Sequence, residues 1–250
     1  MRAFASMVRV TMRQVVGGRR WIVLGLLALL PAVVMWFASI DPSPPGAFER
    51  YNDVPLPTLL LLVVPIVTLV IGSGALGDER RDGTLSFLLL RPIRRSTIAA
   101  AKLTAAWLAA SLIAGSAGFL ASFVLAVRAD TWITLAPTLV AVLLATAGYT
   151  AVFMVLGHVT SRAVLIGLVY VFVWESGISF AAPSLANVSL SRIGLTAYVG
   201  MLPETASALG EPLGALAPGA GGALAKALGI ALVCILVGAF LLKRMDATSE

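Results

Sequence analysis

The sequence predicts an all-α integral membrane protein with six transmembrane helices. Three observations support this prediction. Of the 250 residues, 59% are hydrophobic and only 12% are charged, and the mean hydropathy is +0.98, which is well outside the range of soluble globular proteins. The basic residues lie at the ends of apolar segments, as they do in membrane proteins, and form no separate basic face. Nucleic acid is therefore not an expected partner, despite the net charge of +6.

Residues 1–20 predict an amphipathic helix that lies in the cytoplasmic membrane interface. They include five arginines and no acidic residue, and Phe4, Met7 and Val8 begin an apolar face at helical spacing. A basic amphipathic helix of this type binds among lipid headgroups without crossing the bilayer. A signal peptide is the competing interpretation, but the apolar stretch at 21–40 is too long for one.

Six segments are long and apolar enough to cross a bilayer, which takes about 20 residues. They are approximately residues 21–40, 56–76, 98–127, 132–156, 163–180 and 222–242. Residues 21–250 are thus predicted to form one six-span transmembrane domain. The last two segments are less uniform than the others, because they contain Glu175 and Lys226.

The basic residues also predict the orientation. With a cytoplasmic N-terminus, 14 basic residues lie inside and four outside, a strong positive-inside asymmetry. Both termini and the charged passage 77–102 are then cytoplasmic, and residues 41–55 and 181–221 are outer loops, the second with short helices against the membrane surface. Arginine outnumbers lysine 15 to three, which is typical of a bacterium with a GC-rich genome and places the chain in a bacterial plasma membrane.

The charged passage 77–102 predicts a short surface helix. Three acidic residues precede its apolar run and three arginines follow it: Asp78, Glu79, Asp82, Arg91, Arg94 and Arg95. Acidic residues favour the N-terminal end of a helix dipole and arginines the C-terminal end. Asp82 or Thr84 would cap this helix and Pro92 would end it.

The apolar run has one leucine-rich face. Leu85, Leu88 and Leu89 share this face, and they are too few to span a bilayer. They fit a socket on a partner protein. The alternative is a solvated connector whose leucines rest on neighbouring helices.

Motifs for enzymatic chemistry are weak. GSGALG at 72–77 matches GxGxxG but closes a membrane segment, whereas the dinucleotide fingerprint needs a strand before it. None of the three lysines lies in a GxxxxGK[ST] loop, so use of ATP would require another polypeptide. GSAG at 115–118 with His158 is a faint serine-protease pattern that is more typical of helix packing. The single cysteine, Cys234, allows no internal disulfide and does not favour a metal site.

Glu175 is the only acidic residue inside an apolar segment. Intramembrane carboxylates are candidates for function by default. Glu175 would either have a structural role, beside Trp174 or paired with Arg192 or Arg128, or handle a substrate or a proton.

The charged passage resembles the E…GT…LL..P..R..I…K signature of ABC-2 type permeases of ABC transporters. The matching residues are Glu79, Gly83, Thr84, Leu88, Leu89, Pro92, Arg95, Ile98 and Lys102. Tyr170 with Trp174 and Glu175 is similar to a second feature of that family, in its fifth span. The leader helix, six spans, inner loop and long outer loop follow the family's order over nearly the whole chain.

The resemblance implies a transport subunit that pairs with a second permease, identical or related, and with two cytoplasmic ATPase subunits. Residues 83–90 would form the coupling helix that docks on the ATPase, beside the leader helix. The implied coupling interface is Glu79, Gly83, Thr84, Leu85, Leu88, Leu89, Pro92 and Arg95. ATP and Mg²⁺ would bind to the ATPase subunits, and this chain would bind no cofactor and have no enzymatic activity of its own.

The family resemblance also implies an exporter in contact with membrane lipid, with the cargo left open. Two alternatives belong to other classes. One is a stand-alone proton- or ion-coupled carrier that uses Glu175, and the other is a non-transporting membrane scaffold.

Overall fold

The computed structural model describes residues 2–16, 20–40, 46–83, 93–178, 189–205 and 219–247. Within these ranges the chain is helical and contains no strand, which confirms the all-α prediction. The α-helices are α1 (Arg2–Val16), α2 (Arg20–Ala38), α3 (Ala47–Asp53), α4 (Val64–Arg81), α5 (Arg95–Ala129), α6 (Leu135–Val159), α7 (Ala163–Val169), α8 (Ser191–Met201) and α9 (Gly219–Ala247). Shorter elements complete them: a turn at Pro55–Pro57, π-helical segments at Thr58–Val63 and Tyr170–Ile178, and a 3-10 turn at Pro203–Thr205.

Five helical stretches in the described part of the chain are long and apolar enough to cross a membrane. They are Arg20–Ala38, Ala47–Arg81, Arg95–Ala129, Leu135–Val159 and Gly219–Arg244. Each overlaps a predicted span. The predicted span at 163–180 is shorter, because α7 and its π-helical continuation have seven and nine residues, about 24 Å at the α-helical rise. Residues 179–188 lie outside the described ranges, and the count of six spans is not confirmed.

Helix α6 lies at the centre of the bundle, in contact with α4, α5, α8 and α9. Its crossing with α4 is very close. A Cβ atom added at Gly157 would lie 2.1 Å from the carbonyl oxygen of Ser73, and one at Gly77 would lie 2.8 Å from the carbonyl oxygen of Gly157. Only glycine permits this approach of two backbones. Glycines of the GSGALG motif therefore serve helix packing.

Helix α1 packs across one end of the bundle. Met7 forms a small core with Ile98 of α5 and Leu242 of α9, and Phe4 packs at its edge. Arg9, on the opposite side of α1, is exposed. The apolar face of the leader is thus turned toward the protein, and its location in the membrane interface stays a prediction.

Helix α3 lies within the predicted outer loop 41–55, which is therefore not wholly a loop. Its Tyr51 side chain is fully buried. The Tyr51 hydroxyl hydrogen-bonds to the hydroxyls of Ser122 and Thr138, at 3.0 and 2.8 Å. A tyrosine provides a large apolar ring and a polar end that needs a partner, and α5 and α6 satisfy both needs.

Helix α8 corrects the prediction for the outer loop 181–221. That loop was expected to carry short helices against the membrane surface, whereas all residues at 191–199 are buried within the bundle. Helix α8 contacts α6 and α9. A hydropathy window misses this arrangement because it measures local apolarity, whereas the burial of α8 depends on complementarity to helices distant in sequence.

Candidate functional sites

The charged passage begins inside helix α4. This helix continues to Arg81, with Asp82 as its C-cap and Gly83 at φ +68°. A residue with positive φ directly after a helix is a common stop signal, and glycine adopts that conformation without steric cost. Gly83 therefore ends α4, which corrects the expectation that a coupling helix begins at this residue.

The expected dipole pattern is wrong for the acidic residues that open the passage. Asp78 and Glu79 lie in the last turn of α4, at the negative end of the helix dipole, and not at the start of a new helix. Cations offset this unfavourable position. Asp78 Oδ2 accepts a hydrogen bond from Arg20 Nη1 at 2.8 Å, and Arg81 binds the other carboxylate oxygen.

Glu79 and Lys102 form an ion pair that connects α4 to α5. The side chains are 18% and 5% exposed, respectively, and Lys102 Nζ donates to Glu79 Oε1. Separating the partners of a buried ion pair would leave two poorly hydrated charges, which is energetically costly. The pair therefore holds α4 and α5 together at this point. The pair joins the two helices that flank residues 84–92. Five expected interface residues lie in this stretch, outside the described residues: Thr84, Leu85, Leu88, Leu89 and Pro92.

Two further arginines belong to this end of the bundle. Arg80 Nη1 donates to the carbonyl oxygen of His158, in the last turn of α6, where a cation is favourable to the helix dipole. Arg95 is half-buried and is the first residue of α5. We use the name loop base for Arg20, Asp78, Glu79, Arg80, Arg95 and Lys102.

Glu175 forms the second site, and it is fully buried. Its Oε1 accepts hydrogen bonds from the Tyr170 hydroxyl at 2.6 Å and the Leu190 backbone N–H at 2.8 Å. Its Oε2 accepts from the Ser189 hydroxyl and from the Ser191 backbone N–H, the latter at 3.3 Å. Leu190 is the N-cap residue of α8 and Ser191 is its first residue, so both N–H groups lie at the positive end of the helix dipole. Glu175 therefore caps α8 from another helix.

The surroundings of Glu175 include cations. Lys226 Nζ, on α9, donates to the Ser189 carbonyl oxygen at 2.8 Å, and Arg192 is a buried residue in the first turn of α8. Of the two arginines considered as partners of Glu175, Arg128 is engaged elsewhere. The Arg128 guanidinium lies over the ring of Trp36 instead, 4.1 Å from its centroid.

The structure unites residues that sequence reasoning treated separately. Glu79 and Lys102, at the two ends of the first signature, are paired, and so are Tyr170 and Glu175 in the second feature. Sequence reasoning missed Ser189 and Ser191 as partners of Glu175. A pair of serines before an apolar run is a signal for a helix N-terminus, and it could have located the start of α8.

The faint protease pattern has no geometric support. The Ser116 hydroxyl donates to the Ile113 carbonyl of its own helix at 2.7 Å. The neighbouring Gly118 faces Val142 of α6, and His158 lies about 24 Å further along that helix at the α-helical rise. A serine and its base must be within hydrogen-bond reach, so these two residues do not form a catalytic pair.

Fold and sites together define a multi-pass helical membrane protein, with one charged cluster where α4 ends and α5 begins and one carboxylate deep in the bundle. The sequence pattern of the family described as ABC-2 family transporter protein matches residues 19–178, more than half of the chain. The chain belongs to this family and is a membrane permease of an ABC transporter. The match includes the loop base and Glu175. No curated protein matches the chain.

Proposed function

We propose that this permease works in an ATP-driven exporter and that the loop between Gly83 and Arg95 receives force from two cytoplasmic ATPase subunits. ATP and Mg²⁺ bind to those subunits, and a second permease, identical or related, completes the membrane part. Both termini face the cytoplasm of a bacterium. The family supports this proposal, because ABC-2 permeases generally pair with ABC ATPase subunits.

The observation that carries the proposal is the closed base of the loop. The Glu79–Lys102 ion pair joins the two helices that flank residues 84–92. Each flanking helix then continues without interruption into the bundle, α4 for 18 residues and α5 for 35. A force on a loop with separate ends would bend the loop. With a closed base, the same force moves α4 and α5 as one body.

Helix α1 supports the same proposal. Its Met7 side chain contacts the beginning of α5 and the end of α9 through Ile98 and Leu242. Helix α1 therefore connects the loop base to the last span of the chain. Movement of α5 by an ATPase would also reach α9, and the spans on both sides of α6 would shift between inward-open and outward-open arrangements.

The first test is Leu88→Asp in the permease reconstituted with its ATPase. A charge on the leucine face prevents docking, while the spans keep their packing because the substitution lies outside them. We expect transport-coupled ATP hydrolysis to fall by about tenfold or more, the effect of losing an interface hot spot, and the melting temperature of the isolated permease to remain unchanged.

The matched control is Ser96→Asp, which adds the same charge at an exposed position in the first turn of α5. This variant should hydrolyse ATP as the parent does. The proposal is wrong if Leu88→Asp assembles with the ATPase and shows coupled hydrolysis at the parental rate.

The alternative of a proton- or ion-coupled carrier makes a different prediction. Such a carrier would transport along a proton gradient when it is reconstituted without any ATPase, whereas the proposed exporter subunit would be inactive. The contacts of Glu175 favour the exporter, because hydroxyl and amide donors from its own chain bind both carboxylate oxygens and hold them in place. Gradient-driven transport by the chain alone would favour the carrier.

A further inference from the structure

An aromatic strip runs along the exposed side of α5 toward its C-terminal end. The rings of Phe119 and Phe123 are stacked with centroids 6.2 Å apart, and the ring of Trp132 meets Phe123 edge-on at 6.0 Å. The three side chains are between 43 and 53% exposed. An exposed apolar strip on a helix long enough to cross a membrane is a surface for lipid acyl chains. Its tryptophan end lies where such rings meet the headgroup level of a bilayer.

Arg128 provides a cation at this end of the strip. It is an exposed residue in the last turn of α5. The ring of Trp36, on α2, holds its guanidinium by a stacking contact that leaves the N–H donors available. Among the described residues, no side chain or backbone group forms a hydrogen bond or ion pair with the Arg128 side chain. A guanidinium fork matches the oxygens of a phosphate group, so Arg128 offers a phosphate site between α2 and α5.

Asp130 adds a charge of the opposite sign just beyond Arg128. It is the C-cap residue of α5, exposed, with φ at +51°, a left-handed conformation that aspartate tolerates better than most residues. Its carboxylate also has no hydrogen-bond or ion-pair partner in the part of the chain that the structure describes. Two positions correspond to about 3 Å along a helix axis. From the middle of α5 outward, the order is therefore apolar strip, cation, anion.

We propose that this end of α5 binds one zwitterionic phospholipid with a primary ammonium headgroup, of the phosphatidylethanolamine type. Such a lipid presents the complementary order of acyl chain, negative phosphate and positive ammonium. Its phosphate binds the Arg128 guanidinium, its ammonium group binds the Asp130 carboxylate, and one acyl chain lies along Phe119 and Phe123. Charge complementarity of this kind selects a partner more than it adds affinity. The site is remote from the loop base, and it does not depend on coupling to an ATPase.

The test is lipid binding to the full chain, released from detergent micelles and followed by native mass spectrometry. The probes are phosphatidylethanolamine and phosphatidylglycerol with the same acyl chains. Both headgroups contain a phosphate, but only the first contains an ammonium group. We expect the first bound molecule of phosphatidylethanolamine to have the higher affinity.

Two substitutions separate the two charges. Arg128→Gln should weaken the binding of both lipids by about tenfold, because it removes charge-assisted hydrogen bonds to the phosphate. Asp130→Asn should weaken the binding of phosphatidylethanolamine by about threefold, which is typical of an exposed ion pair, and leave phosphatidylglycerol unaffected. Both residues are exposed, so the melting temperature in detergent should not change.

The matched controls make the same chemical changes elsewhere on the surface. Arg162→Gln changes the exposed N-cap residue of α7, and Glu49→Gln changes an exposed carboxylate on α3. Neither variant should alter the affinity of the first bound lipid or the preference for phosphatidylethanolamine.

Three results would overturn the proposal. If Arg128→Gln binds both lipids as the parent does, the lipid contacts are those of any membrane surface. If Asp130→Asn keeps the parental preference for phosphatidylethanolamine, the ammonium group is not bound at this residue. If Arg128→Gln instead lowers the fraction of dimer in lipid-free detergent and leaves lipid binding unchanged, this surface is an interface with a second copy of the chain.

Discussion

Glu79 and Glu175 are carboxylates in the same helical bundle, but different kinds of donor bind them. Glu79, 18% exposed at the end of α4, pairs with the ammonium group of Lys102. Glu175 is fully buried, and hydroxyls and backbone amides bind both of its oxygens. Asp78, 34% exposed, represents a third environment, in which two arginines bind a carboxylate close to water.

The comparison indicates that depth decides how a carboxylate is stabilised. Near a helix end, an ion pair keeps part of its hydration, which limits the desolvation penalty. Deep in a membrane bundle each polar group needs a partner inside the protein. At Glu175 the start of α8 supplies N–H donors, and Lys226 binds the neighbouring Ser189 carbonyl oxygen. The expected cost of removing each carboxylate therefore decreases from Glu175 to Glu79 to Asp78.

Glu175→Ala should have the largest effect on stability. The substitution leaves the Tyr170 hydroxyl and the amides of α8 without their acceptor, and each buried unsatisfied group costs about 1–3 kcal/mol. We expect the free energy of unfolding in mixed micelles to fall by about 3 kcal/mol or more. A loss below about 1 kcal/mol would show that these donors find other acceptors easily. Burial depth would then not decide the cost of removing a carboxylate.

The Glu79–Lys102 pair should show an intermediate effect, best measured by a double-mutant cycle. Glu79→Gln and Lys102→Met should each lower the free energy of unfolding, because each leaves a poorly hydrated partner. The coupling energy should be about 1–3 kcal/mol. A coupling energy near zero would mean that the pair does not join α4 to α5, and it would remove the main support for a rigid loop base.

Asp78→Asn should have the smallest effect. Asp78 and its partners Arg20 and Arg81 are substantially exposed, and exposed ion pairs contribute up to about 1 kcal/mol. The difference in melting temperature between this variant and the parent should shrink further at high salt, because ions screen exposed charges. A large, salt-independent loss would instead assign Asp78 to the same class as Glu79.

Much of the fold was predictable because a membrane imposes a local requirement. A span needs a continuous apolar stretch of about 20 residues, and the sequence therefore located the five long helices to within a few residues at most ends. The exceptions are informative. Helix α4 continues through the charged residues Asp78, Glu79 and Arg80, since pairing with Arg20, Lys102 and the His158 carbonyl makes those charges tolerable in its last turn.

The candidate sites were predictable only as individual residues. Glu175 was evident because an acid is costly in an apolar segment. Its partners Ser189 and Ser191 were not evident, because they follow 14 and 16 positions later in the chain and no local pattern joins them. The same limit applies to two buried tyrosines. The Tyr51 hydroxyl bonds to Ser122, 71 positions away, and the Tyr198 hydroxyl bonds to Asn52, 146 positions away.

The sequence by itself determined that this protein is a multi-pass helical membrane protein, which segments are apolar enough to span, and which charged signature it carries. These properties are sums over neighbouring residues, and hydropathy and motif spacing report them directly. Only the tertiary structure decided that α8 lies inside the bundle, that Glu175 caps it, and that Glu79 meets Lys102. Those contacts depend on which helix surfaces fit together at close range, and this fit is a property of the packed chain that no single segment contains.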